Sequence, residues 1–357
     1  MHRRHRRPGD GPLVLARHAR YAPAGLPAEK LEAGRSREEM GRPGRATLVL
    51  GPPSAEPYRL FRSLARGRRG LVISGVHPDK LRARYGLGGA ELLWLTGLSG
   101  TPENALGPKD LEYEVLGRAL KHLRAGAGGT IVLDDLDYLA SQAGFAPLAR
   151  FVKGVSDAAS ELGGTLVSSA DPEAFSERER LALMECFDGV HLLRPAPDRP
   201  VRSGMAVLFR RGTYLFRGQG PAAYRFLATL GRARKVLCLT TLPPAKLKER
   251  YALQEVDFIW LSDTASGEGV LRPGKLGYEV QSAAARHLRS GGGALLYIDG
   301  LERLAPYAPF PEVVRFVKGL ADNSGESGGV LVASMQPGFF KRAEEAVIRR
   351  RFDMVLS

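Results

Sequence analysis

Two short segments of the chain carry residue types that could do phosphate chemistry. Ile131-Val132-Leu133-Asp134-Asp135-Leu136-Asp137 and Leu296-Tyr297-Ile298-Asp299-Gly300-Leu301-Glu302 each run from an apolar block into a carboxylate. That is the shape of a Walker B element, whose acid reaches the waters of a nucleotide-bound magnesium ion. Asp134 and Asp299 are the expected magnesium contacts through water, and Asp137 and Glu302, three residues on, are placed to shape the same pocket. A structural role stands beside this one, because a carboxylate after a strand also caps the next turn or helix.

Such a pocket needs a phosphate cradle, and neither segment has one. The corresponding loops read Leu50-Gly51-Pro52-Pro53-Ser54-Ala55-Glu56-Pro57 and Phe216-Arg217-Gly218-Gln219-Gly220-Pro221-Ala222-Ala223. Neither has the lysine of a P-loop, and their prolines remove N–H donors that would hold phosphate. ATP hydrolysis by the usual route is not expected, although ATP with magnesium remains the cofactor to test. There is no His-x-x-x-His zinc pair, and neither a Gly-x-Ser-x-Gly nucleophile elbow nor a Gly-x-Gly-x-x-Gly fingerprint follows a predicted strand. Cys186 and Cys238, one in each half at unmatched positions, spell neither a metal cluster nor a disulfide framework, as befits a reducing cytoplasm.

The two acidic segments belong to a larger repeat. Tyr58, Lys80-Leu81-Arg82-Ala83-Arg84-Tyr85, Trp94-Leu95, Tyr113-Glu114-Val115, His122-Leu123-Arg124 and Arg150-Phe151-Val152-Lys153-Gly154 recur in order. Their counterparts are Tyr224, Lys246-Leu247-Lys248-Glu249-Arg250-Tyr251, Trp260-Leu261, Tyr278-Glu279-Val280, His287-Leu288-Arg289 and Arg315-Phe316-Val317-Lys318-Gly319. A period of about 165 residues is a duplicated domain, far longer than a solenoid unit. The expected organisation is a basic, disordered tail (1–45), a first domain (46–194), a proline-rich linker (195–211) and a second domain (212–357).

Within each domain, short apolar runs alternate with helical stretches, the pattern of βαβ units. Strands are predicted near 47–50, 71–74, 92–96, 130–134, 165–169 and 189–193, and near 214–216, 236–240, 258–262, 295–299, 330–334 and 354–356. They are apolar on both faces, as strands covered by helices on each side must be. Helical spacing marks 57–66, 78–85, 108–124, 145–162 and 172–184, several opening with proline in the first turn. With right-handed crossovers, each domain becomes a three-layer, Rossmann-like α/β/α sandwich around a mostly parallel sheet. Ligands of such sheets bind beyond the carboxyl ends of the strands, which is where the two acidic segments fall.

Other conspicuous side chains receive structural readings. Trp94 and Trp260 are expected in the core, Tyr85 and Tyr251 as helix anchors, His122 and His287 on a packed stripe, and Lys153 and Lys318 at the solvated edge of an amphipathic helix. Asp135 faces Gly300 in the other copy and reads as a local variation.

The formal net charge is +14, and residues 1–45 hold eleven Arg and Lys against five acids. A nucleic acid or acidic lipid is the functional partner such a tail suggests, and a solvated tail without a dedicated partner is the favoured reading. No apolar run approaches the ~20 residues of a membrane helix, so a soluble, cytoplasmic protein is expected.

Several motifs together resemble a known family. His77-Pro78-Asp79-Lys80-Leu81, Tyr85-Gly86-Leu87, Leu93-Trp94-Leu95, Leu133-Asp134-Asp135-Leu136-Asp137-Tyr138-Leu139 and Ser169-Ala170-Asp171-Pro172 look like the archaeal domain of unknown function 835. Leu242-Pro243-Pro244-Ala245-Lys246-Leu247, Trp260-Leu261, Ile298-Asp299-Gly300-Leu301-Glu302-Arg303-Leu304 and Ser334-Met335-Gln336-Pro337 match it less fully. The resemblance covers nearly everything after about residue 46. It implies a degenerate relative of the RecA and KaiC ATPase fold, an archaeal source and a regulatory or signalling setting, with no established activity.

The leading expectation is a non-enzymatic regulatory, signalling or assembly module. Its two ATPase-like domains pack together, hold a nucleotide or small effector near Asp134 and Asp299, and meet a protein partner or another copy of the chain. A divergent NTPase with a non-standard phosphate site is one alternative, and a nucleic-acid binder acting through the tail is the other.

Overall fold

A computed structural model describes residues 42–96, 105–125, 128–193, 212–218, 224–225, 227–228, 232, 234–291 and 293–356. Residues 1–41 of the tail, the linker 195–211 and the loop 219–223 lie outside them.

The first copy begins with β1 (Arg45–Leu50), α1 (Glu56–Leu64), β2 (Gly70–Ser74), α2 (Pro78–Tyr85), β3 (Glu91–Leu95) and β4 (Ala105–Leu106). A π-helical turn (Leu111–Val115) continues into α3 (Leu116–Arg124), followed by β5 (Thr130–Leu133), α4 (Leu136–Ala143) and α5 (Phe145–Glu161). β6 (Thr165–Ala170), a 3-10 turn (Pro172–Ala174), α6 (Glu177–Glu185) and β7 (Gly189–Leu192) complete it. The second copy supplies β8 (Gly212–Arg217), β9 (Val236–Thr240), α7 (Pro244–Tyr251), β10 (Val256–Leu261), β11 (Val270–Leu271) and α8 (Gln281–Leu288). It ends with β12 (Leu295–Ile298), α9 (Phe310–Ser327), β13 (Val330–Met335), α10 (Arg342–Arg349) and β14 (Met354–Leu356).

Each copy folds around a seven-stranded sheet, in the orders β4-β3-β2-β5-β6-β1-β7 and β11-β10-β9-β12-β13-β8-β14. Every neighbouring pair is parallel. This is the α/β fold that the apolar runs predict. The central strands are buried along their length because helices cover both faces, as with Thr130–Leu133 and Leu295–Ile298. In α3 and the π turn before it, Leu111, Val115, Ala119 and Leu123 form the predicted buried stripe.

Three features depart from the predicted elements. β4 and β11 are two-residue edge strands, too short to leave a pattern in sequence. α4 follows β5 almost at once, where the strand and its acids had masked the helical spacing. The single helix expected over 172–184 is interrupted, since Ser176 and Glu179 form a reciprocal capping box that starts α6 afresh.

The two copies pack directly on each other. α9 and α10 of the second lie against α2, α4 and the 172–174 turn of the first. The main apolar core is continuous across them, and a small surface depression is lined by Phe145 and Phe175 from one side and Phe310 and Val347 from the other. The second copy therefore covers the carboxyl ends of the first copy's strands.

Candidate functional site

The acids predicted at the end of β5 converge as a cluster. Asp134, directly after the strand, is buried and accepts hydrogen bonds from the Tyr58 and Ser169 hydroxyls. Asp137 lies in the first turn of α4 and is fully shielded from solvent. Between them Asp135 adopts a left-handed backbone conformation with φ of 72°, which Asp tolerates better than most residues with a side chain. Asp171 is also buried, and Glu173 stands half-exposed beside it.

Two arginines of the second copy enter this cluster. They follow α10, where the chain turns toward β14. Arg350 Nη2 donates to Asp134 Oδ1 at 3.0 Å, and its Nε lies 3.1 Å from Asp137. Arg351 meets Asp135 with both terminal nitrogens, Nη1 donating to Oδ2 at 2.7 Å and Nη2 to Oδ1. Such a two-pronged guanidinium–carboxylate pair is among the stronger polar contacts available to a protein. Arg351 also lies over the Tyr138 ring, 5.1 Å from its centroid. Asp137 Oδ2 lies 3.5 Å from Arg351 Nη2, but neither Asp137 oxygen receives a well-directed hydrogen bond.

The electrostatics separate these carboxyls. Burial alone would raise the pKa of Asp135, but Arg351, Arg350 and Lys318 outweigh it and hold the carboxyl below its ordinary range. Asp137 is pushed up to about 7, above all by burial, with Asp135 adding to the rise and Arg350 and Arg351 opposing it. Burial would lower the pKa of Arg350, but Asp137, Asp134 and Asp135 raise it further still, so the guanidinium stays charged.

The contact extends well beyond the two arginines. Arg342 and Arg349 each reach Glu173 at 2.6 Å. Lys80 and Arg84 pair with Asp353 at 2.9 and 2.8 Å, and His77 Nε2 lies 2.9 Å from Glu326. Lys318, expected on a solvated helix edge, is instead buried, because this mid-helix face of α9 meets the first copy rather than water. Its ammonium bonds Asp322 at 2.7 Å and lies over the rings of Trp94 and Tyr138. Gly75 makes room for this approach, as a Cβ there would come within 2.6 Å of Asp135 and 3.1 Å of Lys318. Between the copies remains a cavity of about 130 Å³, walled by Tyr85, Lys80, Asp135, Lys318, Arg350 and Asp353 among others.

The second copy repeats the inner geometry without the insertion. Tyr224 stacks on Tyr251 at 4.5 Å, as Tyr58 does on Tyr85 at 4.2 Å. Asp299 is buried and accepts a hydrogen bond from Thr240 Oγ1 at 2.7 Å. Glu302 accepts from the Gln336 backbone N–H at 3.1 Å, so this acid ties two strand-end loops together. Trp260 is only half-buried whereas Trp94 is buried, with Lys318 of the second copy lying over its ring. Gly300 stands in place of Asp135, and Arg303 in place of Tyr138. The Arg303 guanidinium crosses the space above Gly300, where a Cβ would come within 2.8 Å of its Nε, and lies 4.0 Å from Glu302. An arginine from the same copy thus takes up the space that a strand-end acid fills in the first.

Of the four predicted site residues, Asp134 and Asp137 share one cluster through Arg350, whereas Asp299 and Glu302 bond separate partners, Thr240 and the Gln336 backbone. What the sequence reading missed is the inserting face, and Asp135, set aside there as a local variation, is the acid that grips Arg351. The signal existed in the repeat alignment: Met184, Glu185 and Cys186 align with Arg349, Arg350 and Arg351, a wholesale change of charge at one place. Among the described residues, no three His, Cys, Asp or Glu side chains come together as a metal-holding group, and no helix is long and apolar enough to cross a membrane.

Comparison with known proteins agrees with the duplication. The model of a family described as a protein of unknown function (DUF835) matches residues 52–187 and again 219–352, one match per copy. No curated protein matches the chain. The chain belongs to the DUF835 family, with two tandem copies of its domain.

Proposed function

We propose that the protein is a non-enzymatic regulatory or assembly module, built from two degenerate ATPase-like domains of the RecA and KaiC type. The strand-end acids of the first domain serve as a socket for the second. The observation that carries this reading is the pair Arg350 and Arg351 seated on Asp134, Asp135 and Asp137. A magnesium nucleotide would bring its cation to those same carboxylates. Two buried guanidiniums already neutralise them, so the residues present do not fit that ligand in the first copy. The loop from Gly51 to Pro57 agrees, with three prolines and no lysine for phosphate. The archaeal origin and signalling role implied by the resemblance belong to the same reading, as does a cytoplasmic location.

At Asp299, a small effector remains part of the proposal, because among the described residues no other domain packs over that end of the second sheet. Calorimetric titration with ATP, ADP and GTP, with and without magnesium, tests both halves. The expected outcome is no binding that depends on Asp134, and any saturable binding should weaken in Asp299→Asn. Magnesium-dependent phosphate release lost in a well-folded Asp134→Asn variant would overturn the reading in favour of a divergent NTPase.

A further inference from the structure

The other end of the first sheet carries a feature that the joint does not use. A groove of about 460 Å³ opens between the carboxyl end of α1 and the loop 86–90. Its charged lining is Arg59, Arg62, Arg66 and Arg68, with no carboxylate among the lining residues. All four are exposed. Arg59 lies 3.7 Å from Glu56, while Arg62, Arg66 and Arg68 form no ion pair among the described residues.

Position makes these arginines a unit. Arg59, Arg62 and Arg66 follow one another at three and four residues, so they line one flank of α1 and its continuation. Gly89 forms part of the opposite wall, and nothing stands within 4 Å of where its side chain would begin, so that wall is low and open. The only aromatic in the lining, Phe61, is itself buried, leaving no ring on which a base could stack.

Clustered guanidiniums without a neutralising acid repel one another, and a phosphate-bearing ligand relieves that repulsion through paired N–H donors. A lone phosphate would engage one or two of them. A chain of phosphates can engage the whole flank, and a net charge of +14 favours that approach from a distance. Most of the basic run also survives in the repeat: Arg225, Arg232 and Arg234 are the counterparts of Arg59, Arg66 and Arg68, while Ala228 answers Arg62, and the arginines of the joint have no basic counterpart. We propose that this groove holds the phosphate backbone of a nucleic acid without reading its bases, independently of the tail.

The test uses the full chain and fluorescence anisotropy of labelled single-stranded and duplex oligonucleotides over a salt series. The variant Arg62→Ser/Arg66→Ser/Arg68→Ser is expected to bind at least ~10-fold more weakly at low salt. Its plot of log affinity against log salt should be shallower by about two to three, since each lost phosphate contact removes roughly one unit. The matching triple lysine variant should restore most of the slope, which separates a charge effect from misfolding. Unchanged affinity and slope in the serine variant would overturn the proposal, as that binding would reside in the tail or elsewhere. Binding of inorganic tripolyphosphate in the groove with no oligonucleotide binding would equally overturn the nucleic-acid assignment.

Discussion

The first copy and the second copy share a sheet order, a tyrosine stack and a strand-end aspartate, and they differ in what touches that aspartate. In the first, arginines 216 residues away in sequence fill the acid cluster. In the second, Arg303 of the same copy lies across the equivalent space. Duplicated folds thus keep their core while the rim takes on complementary charge. The socket holds Asp134, Asp135, Asp137, Asp171 and Glu173, and its counterpart keeps acids only at Asp299 and Glu302. The inserting face holds Arg342, Arg349, Arg350 and Arg351, where the first copy has Glu177, Met184, Glu185 and Cys186. Neither counterpart face keeps this charge complementarity, so the joint is suited to form once within a chain rather than to repeat along a filament.

The sharpest way to break this comparison is to remove one partner. Arg351→Ala strands the Asp135 carboxylate in the joint and is expected to destabilise the protein by roughly 3–5 kcal/mol in denaturant melts. The counterpart change, Cys186→Ala in the first copy, is expected to cost less than about 1 kcal/mol, because Cys186 is a small, half-exposed side chain whose thiol donates weak sulfur hydrogen bonds to the Ala149 and Ala182 carbonyls. Equal losses at the two positions would show that the copies do not differ as described.

A second contrast compares two lysines of the same motif. Lys318→Ala leaves Asp322 buried without its partner, for an expected loss of roughly 2–3 kcal/mol. Lys153→Ala breaks a solvent-exposed pair with Asp157 and should change stability by no more than about 0.5 kcal/mol. A costly Lys153→Ala would mean that the exposed face of the first copy has a partner of its own.

The smallest effect probes charge balance inside the joint. Asp137, held up at about 7 mainly by burial, keeps its proton in the folded protein at pH values where the unfolded chain, with a carboxyl near 4, has lost it. Its contribution to stability is therefore complete below about pH 4 and lost as pH rises through 7. Between pH 6 and 8 the wild type should lose about 1 kcal/mol relative to Asp137→Asn. Parallel stability curves for the two proteins over that range would contradict the assignment.

Much of this architecture is legible in the chain because it is repetitive and local. Strands apolar on both faces announce a covered parallel sheet, and Asp134 and Asp299 mark where two of those strands end. The joint is not legible in that way. Whether an exposed-looking lysine such as Lys318 meets water or another domain depends on packing between distant segments, and periodicity treats Lys153 and Lys318 alike. Asp135 occupies a left-handed position where its counterpart is glycine, and only the arrival of Arg351 explains a side chain there.

The central claim, that the strand-end acids of the first copy hold the second, is tested most directly by a double-mutant cycle on Asp135→Asn and Arg351→Gln, read from denaturant unfolding. A coupling energy of at least about 2 kcal/mol is expected, the double variant losing much less than the sum of the singles. Additive losses would contradict the claim and leave the two side chains energetically independent.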